Sequence, residues 1–277
     1  MATTYSRVIR AQRRHSIPPS AREGAVAFVG QAPVGETGAM RPHRYPRPCP
    51  APRSAFTGYR FPPEVITLAV RWYLRFGLSY RDVEELLSER GIEVDHVSIF
   101  RWVQRFAPEF AEAARARQHV IGDRWHVDET YVKVEGCWRY LFRAIDQFGQ
   151  VIDVFLSPRR DAKAAQRFFE RAIDRTRISP VEVTTDRYRA YPRIIDDLLP
   201  AAFHDTEAYA NNLIETDHGL KARLRPMRGL KRDRTARVIV TGHAFVQNLR
   251  RGFHDLGTEV PPAARFVEAF HELALVI

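Results

Sequence analysis

The sequence predicts an α/β fold in which a mixed β-sheet is covered by helices and preceded by a small all-helical unit. Three observations carry that reading. Apolar residues recur at helical spacing between Pro63 and Phe106. From Trp125 the chain turns to β-branched and aromatic runs separated by glycine turns. Beyond Asp161, helical and strand-like stretches alternate.

Charge divides the 277 residues further. The net charge is +10, yet residues 1–57 hold nine Arg and two Glu, residues 58–215 are slightly acidic, and residues 216–255 hold ten basic side chains against three acids. Basic flanks around an acidic middle point to placed contacts with a polyanion rather than a uniformly basic coat. No apolar run reaches the length of a membrane span, so a soluble chain is expected, and a cytoplasmic one because the run Ala25–Val29 is too short for the core of an export signal. Cys49 and Cys137 make neither a disulfide framework nor a Cys-x-x-Cys metal pair.

Eight of the 18 prolines precede Phe56. Proline removes backbone donors and favours extended chain, so residues 1–57 are expected to be a disordered basic extension, with Met40 as an alternative start. In the unit expected over residues 58–118, Pro63 and Glu64 suit a first helical turn and Gly77 its end. Ser79 opens a second helix with Asp82 three residues on, close to a capping box. A third runs from about Asp95 to Phe106. Ile99, Trp102, Val103 and Phe106 share one stripe, and Arg101, Gln104 and Arg105 point away from it. Three short helices of this kind are the layout of a helix-turn-helix reader, with Ser98, Arg101, Gln104 and Arg105 as candidate DNA contacts. A plain solvated helix face fits this segment equally well.

Residues 119–257 are expected to form the sheet domain, and residues 258–277 a C-terminal tail. Trp125–Val134, Trp138–Ile145 and Val151–Leu156 read as three strands, with turns at Glu135-Gly136 and Gln147-Phe148-Gly149. A helix over Asp161–Arg177, a strand at Val181–Thr185, a short helix carrying Tyr191, Ile194, Ile195 and Leu198, a strand at Ala201–His204 and a helix from about Asn212 follow. A three-strand meander followed by helix, strand, helix, strand, helix is an RNase-H-like order.

That order places three acids. Asp128 lies within the first strand and Asp186 at the end of the fourth, neighbouring strands in such a sheet. Glu215 lies in the first turn of the last helix. Carboxylates so gathered repel one another unless cations fill the gap, and Mg²⁺ suits hard oxygen donors. Two ions about 3.5–4 Å apart would serve an in-line phosphoryl transfer. Each acid also has a structural reading. Asp128 has acidic company in Glu129, Asp186 could cap a helix beginning at Arg187, and Asn212-Leu-Ile-Glu215 is a capping box. His126 shares a strand face with Asp128, and a packed histidine is the simpler reading.

Several stretches resemble bacterial and archaeal insertion-sequence transposases of the IS-six family: Arg60-Phe-Pro-Pro-Glu-Val65, Leu78-Ser-Tyr-Arg-Asp82, Glu93-Val-Asp-His96, Trp125-His-Val-Asp-Glu-Thr-Tyr-Val132, Asn211-Asn-Leu-Ile-Glu215 and Arg223-Leu-Arg-Pro-Met-Arg-Gly-Leu-Lys231. The resemblance runs from about Gly58 to Gly257. It implies a DDE transposase whose helix-turn-helix reads terminal inverted repeats and whose RNase-H-like domain cuts and joins double-stranded DNA. It also implies replicative, cointegrate-forming transposition by a dimer or larger synaptic complex. The family's acids match Asp128, Asp186 and Glu215, with two Mg²⁺ ions as cofactor and Mn²⁺ as a substitute. The family usually places a basic residue two helical turns beyond the Glu, where this chain has Ala222 between Lys221 and Arg223, as after a one-residue deletion near Gly219. Lys221, Arg223, Arg225, Arg228 and Lys231 are then the candidate phosphate contacts beside the metal site. The rival readings are an impaired copy, a non-catalytic DNA-binding protein, and a stand-alone RNase-H-like nuclease.

Overall fold

The computed structural model describes residues 53–207, 220 and 230–277. The described helices are α1 (Pro63–Arg75), α2 (Tyr80–Ser88), α3 (His96–Arg115), α4 (Ala162–Thr176), α5 (Tyr191–Leu198), α6 (Asp233–Arg250) and α7 (Pro262–Val276). The strands are β1 (Arg124–Val134), β2 (Cys137–Asp146), β3 (Val151–Ser157), β4 (Glu182–Thr184) and β5 (Phe203–Asp205).

Local chemistry sets the helix starts. Pro63 occupies the first turn of α1. At α2, the Asp82 N–H donates to Ser79 Oγ at 3.2 Å and the Ser79 N–H donates to Asp82 Oδ2 at 2.7 Å, completing the expected capping box. Asp95 caps α3 by accepting the N–H groups of Val97 and Ser98, each at 2.9 Å. The expected stripe of α3 is fully buried, but the helix runs nine residues past Phe106 to Arg115. Phe110, Ala111 and Ala114 prolong the stripe, and their burial outweighs the backbone bond lost at Pro108.

The sheet order is β3-β2-β1-β4-β5. β1, β2 and β3 form an antiparallel meander, while β4 joins β1, and β5 joins β4, in parallel. This is the mixed RNase-H-like sheet expected. Glu135 and Gly136 form a two-residue turn with φ of 51° and 76°, the left-handed pair that matches strand twist in a tight hairpin.

Both sheet faces are covered. Trp125 and Val127 of β1, with Phe142 and Ala144 of β2, pack against Phe168, Phe169 and Tyr191 of α4 and α5. Val132, Val134, Leu141 and Ile145 face the opposite core, which includes α1, α3, α6 and α7. The helical unit and the sheet therefore share one core across the boundary expected near residue 118. Gly242 on α6 permits this approach, because a Cβ there would lie 2.8 Å from Leu74 Cδ2. Residues 258–277, expected as a tail, carry α7, whose buried Phe270 ring stands 5.2 Å from Phe110 and 5.6 Å from Phe245. No helix among the described residues is long and apolar enough to cross a membrane.

Candidate active site

The parallel register of β1 and β4 brings the aspartates together. Arg124 pairs with Glu182, Trp125 with Val183 and His126 with Thr184. Carried two residues past the end of β4, the same offset sets Asp186 level with Asp128. A carboxylate oxygen from each of Asp128, Glu129 and Asp186 lies within 4.8 Å of the others, and all three residues are half-buried. This is a hard-oxygen donor set whose mutual repulsion a divalent cation would relieve. Glu215 lies outside the described residues.

Glu129 is the member that sequence reading passed over. Strand alternation puts it on the face of Trp125 and Val127, whereas Asp128 belongs to the face of Val132 and Val134. Burial along β1 changes phase between these pairs, so residues 128–130 sit where one cover ends and the other begins. Across the ladder, Asp128 pairs with Arg143, whose Nη2 donates to Gln247 Oε1 on α6 at 3.1 Å.

The Glu129 side chain is 2% exposed and takes two donors. Tyr191 O–H donates a short hydrogen bond to Oε1, and Arg160 Nη2 donates to Oε2 at 3.1 Å. Burial first, and then the negative charge of Asp186, raise the Glu129 pKa above its ordinary value, although Tyr191 and Arg160 pull the other way. Burial also raises the Tyr191 hydroxyl pKa, reinforced by the Glu129 charge, so Tyr191 stays a donor. Burial opposes the charge of Arg160, but the carboxylates of Glu129 and Asp186 outweigh it and hold that cation charged.

Asp186 does not cap a helix at Arg187. The helix begins at Tyr191, and Asp186 Oδ1 instead accepts the N–H of Tyr188 at 3.1 Å within the turn that leads into it. His126 is half-buried on β1. On α3, Ser98 Oγ donates to Asp95 Oδ2 at 2.9 Å and so serves the cap. Arg101 is exposed, Gln104 is half-buried, and Arg105 is exposed and ion-paired with Glu109. Lys221, Arg223, Arg225 and Arg228 lie outside the described residues, and Lys231 is exposed. Its neighbour Leu230 accepts the N–H of Glu135 at 2.7 Å, tying the end of the basic segment to the β1–β2 turn.

The chain is similar to several known proteins. A family model described as a DDE domain matches residues 122–253. Over 164 residues the chain is 41% identical to the transposase for insertion sequence-like element IS431mec of Staphylococcus aureus, a match spanning 57% of this chain and 73% of that protein. It is 40% identical, over the same length and coverage, to the S. aureus transposase for insertion sequence element IS257 in transposon Tn4003. Among solved structures, the HTLV-2 integrase catalytic core domain in complex with magnesium matches with a TM-score of 0.36 and 15% identity, covering 57% of this chain and 99% of that one. With Asp128 and Asp186 converging inside the matched domain and that degree of identity to two transposases, the chain belongs to the IS-six family of insertion-sequence transposases and carries their DDE catalytic domain.

Proposed function

We propose that this transposase binds the terminal inverted repeats of its insertion sequence and catalyses metal-dependent cleavage and strand transfer of double-stranded DNA, replicatively and through cointegrates. The observation that carries the proposal is the convergence of Asp128 and Asp186, from adjacent chain segments of one sheet, in a carboxylate cluster no wider than 4.8 Å. Asp128, Asp186 and Glu215 would hold Mg²⁺, with room for Mn²⁺ to substitute. The metal, as one ion or a pair, would activate the attacking water or 3′-hydroxyl and stabilise the leaving oxygen.

The chain's own groups orient that chemistry. The Tyr188 N–H fixes one oxygen of Asp186, and the β1 ladder fixes Asp128 opposite Arg143. Lys221, Arg223, Arg225, Arg228 and Lys231 would grip phosphates of the strand being cut, a salt-dependent contact without sequence preference. Ser98, Arg101, Gln104 and Arg105 on α3 would face the repeat, with Arg101 and Gln104 as base readers. Residues 58–118 are then the DNA-reading part of a chain that works in the cytoplasm as a homodimer or larger synaptic complex.

Strand transfer of pre-cut element ends into plasmid DNA with Mg²⁺ tests the proposal. Activity in the unaltered chain and its loss in each of Asp128→Asn, Asp186→Asn and Glu215→Gln is the expected pattern. Activity retained in any of the three removes that residue from the site. Repeat binding without any metal-dependent joining in the unaltered chain would instead establish a DNA-binding protein that no longer cuts.

A further inference from the structure

Both carboxylate oxygens of Asp186 carry an N–H donor. Oδ1 accepts the Tyr188 backbone N–H at 3.1 Å, and Oδ2 accepts Arg160 Nη2 at 2.8 Å. The same Arg160 nitrogen reaches Glu129 Oε2 at 3.1 Å, so one guanidinium edge bridges two of the three clustered acids. Arg160 comes from the turn between Ser157 and Ala162, and Tyr188 holds its backbone and stacks beneath its guanidinium. The guanidinium carbon lies 4.3 Å from the Tyr188 ring centroid, and the Tyr188 O–H donates to the Arg160 carbonyl at 3.1 Å.

These partners are not equally movable. The Tyr188 N–H belongs to the backbone and cannot leave Asp186 unless the chain moves. The Arg160 side chain is 36% exposed and can swing on its own bonds. Glu129 is in the opposite situation, since a carboxylate 2% exposed needs its charged partner far more than the 39%-exposed Asp186 does. A divalent ion placed beside the guanidinium would also repel it.

We propose that Arg160 is a positioning residue that competes with the divalent cation for Asp186. It donates to Oδ2, an oxygen that an ion bound by Asp186 would claim, and it can yield that oxygen while keeping its bond to Glu129. Glu129 is then the anchor of Arg160 rather than a metal ligand. This rests on the reading of Asp186 as a ligand.

The test measures Mn²⁺ binding to the full chain without DNA, by the electron paramagnetic resonance signal of free Mn²⁺. Thermal unfolding with and without the ion runs in parallel. Arg160→Ala is expected to bind Mn²⁺ about tenfold more tightly than the unaltered chain, within the usual range for coupling between two ligands of one site. It is also expected to melt lower without metal and to gain more on adding it. Arg160→Lys retains a cation and should stay within about threefold of the unaltered affinity. Where the alanine variant does not fold, Arg160→Gln, polar and neutral, takes its place with the same expectation. Unchanged or weaker Mn²⁺ affinity in the neutral variant overturns the competition. Asp186→Asn binding Mn²⁺ as well as the unaltered chain does would overturn the ligand assignment instead, whatever the Arg160 variants show.

Discussion

Tyr191→Phe isolates a single hydrogen bond at the edge of the candidate active site. Tyr191 is fully buried, its ring centroid 5.9 Å from that of Phe169 and 5.6 Å from that of Tyr188, both edge-on. Phenylalanine preserves the ring and these contacts and deletes only the O–H that Glu129 accepts. Glu129, 2% exposed, would be left with Arg160 at 3.1 Å as its donor, and water reaches it poorly. A hydrogen bond to a charged group contributes about 1.5–3 kcal/mol, and the burial of this one places the loss in the upper half of that range. For a chain of this size that corresponds to a fall of about 4–8 °C in melting temperature. Urea unfolding of Tyr191→Phe, Glu129→Ala and the double variant, all without metal, measures it. The two effects should fail to add by about 1 kcal/mol or more, because each variant removes the same bond. Additivity to within about 0.3 kcal/mol would show that the hydroxyl and the carboxylate do not stabilise one another, and the reasoning about this buried pair would be wrong.

Three further outcomes follow from contacts away from the acids. His254 is buried, and burial first, with His119 adding to it, lowers its pKa from the ordinary 6.5 to about 4. The unfolded chain therefore takes up a proton before the folded one does, so stability is intact above pH 6.5 and falls by up to about 3 kcal/mol as pH drops toward 4. His254→Gln should flatten that part of the pH profile, and a parallel profile would contradict the assignment. Asn248 accepts the Val151 N–H at 2.7 Å and donates to the Val151 carbonyl at 2.8 Å, so Asn248→Leu leaves two buried backbone groups unpaired and should cost roughly 2–4 kcal/mol in urea unfolding. Asp153, 1% exposed, lies 2.9 Å from both Arg171 and Arg175. Alanine at both arginines should cost about 3–5 kcal/mol, and adding Asp153→Asn should recover much of it, since the penalty is a stranded buried charge.

How much of this could be read in the sequence depended on the range of each signal. The Ser79–Asp82 capping box, the Ile99–Phe106 stripe and the Glu135-Gly136 turn each involve residues a few positions apart, and each formed as the pattern required. The approach of Asp128 to Asp186 crosses three strands and a helix of intervening chain, yet it followed from the order of strands, because in a sheet topology fixes neighbours. Other features had no local signature. Arg160 acts on Asp186 and Glu129, 26 and 31 residues away in sequence, from a turn whose direction depends on the folded sheet. The extension of α3 past Pro108 is held by α7, and nothing near Pro108 announces that partner. Glu129 did leave a trace. It is an acid in line with Trp125 and Val127 on the buried face of β1, and a charge in that register needs a donor waiting for it. The alternative reading of Asp186 as a helix cap fell away, because a carboxylate before a polar turn looks the same in sequence whether a helix starts at once or, as here, at Tyr191.

Anomalous diffraction from crystals grown with Mn²⁺ reaches the centre of the account. A peak bonded to carboxylate oxygens of both Asp128 and Asp186, absent from crystals of Asp186→Asn, is the predicted result. Manganese bound elsewhere, or a peak unaffected by the substitution, would mean that these two side chains converge without serving as the metal site of this transposase.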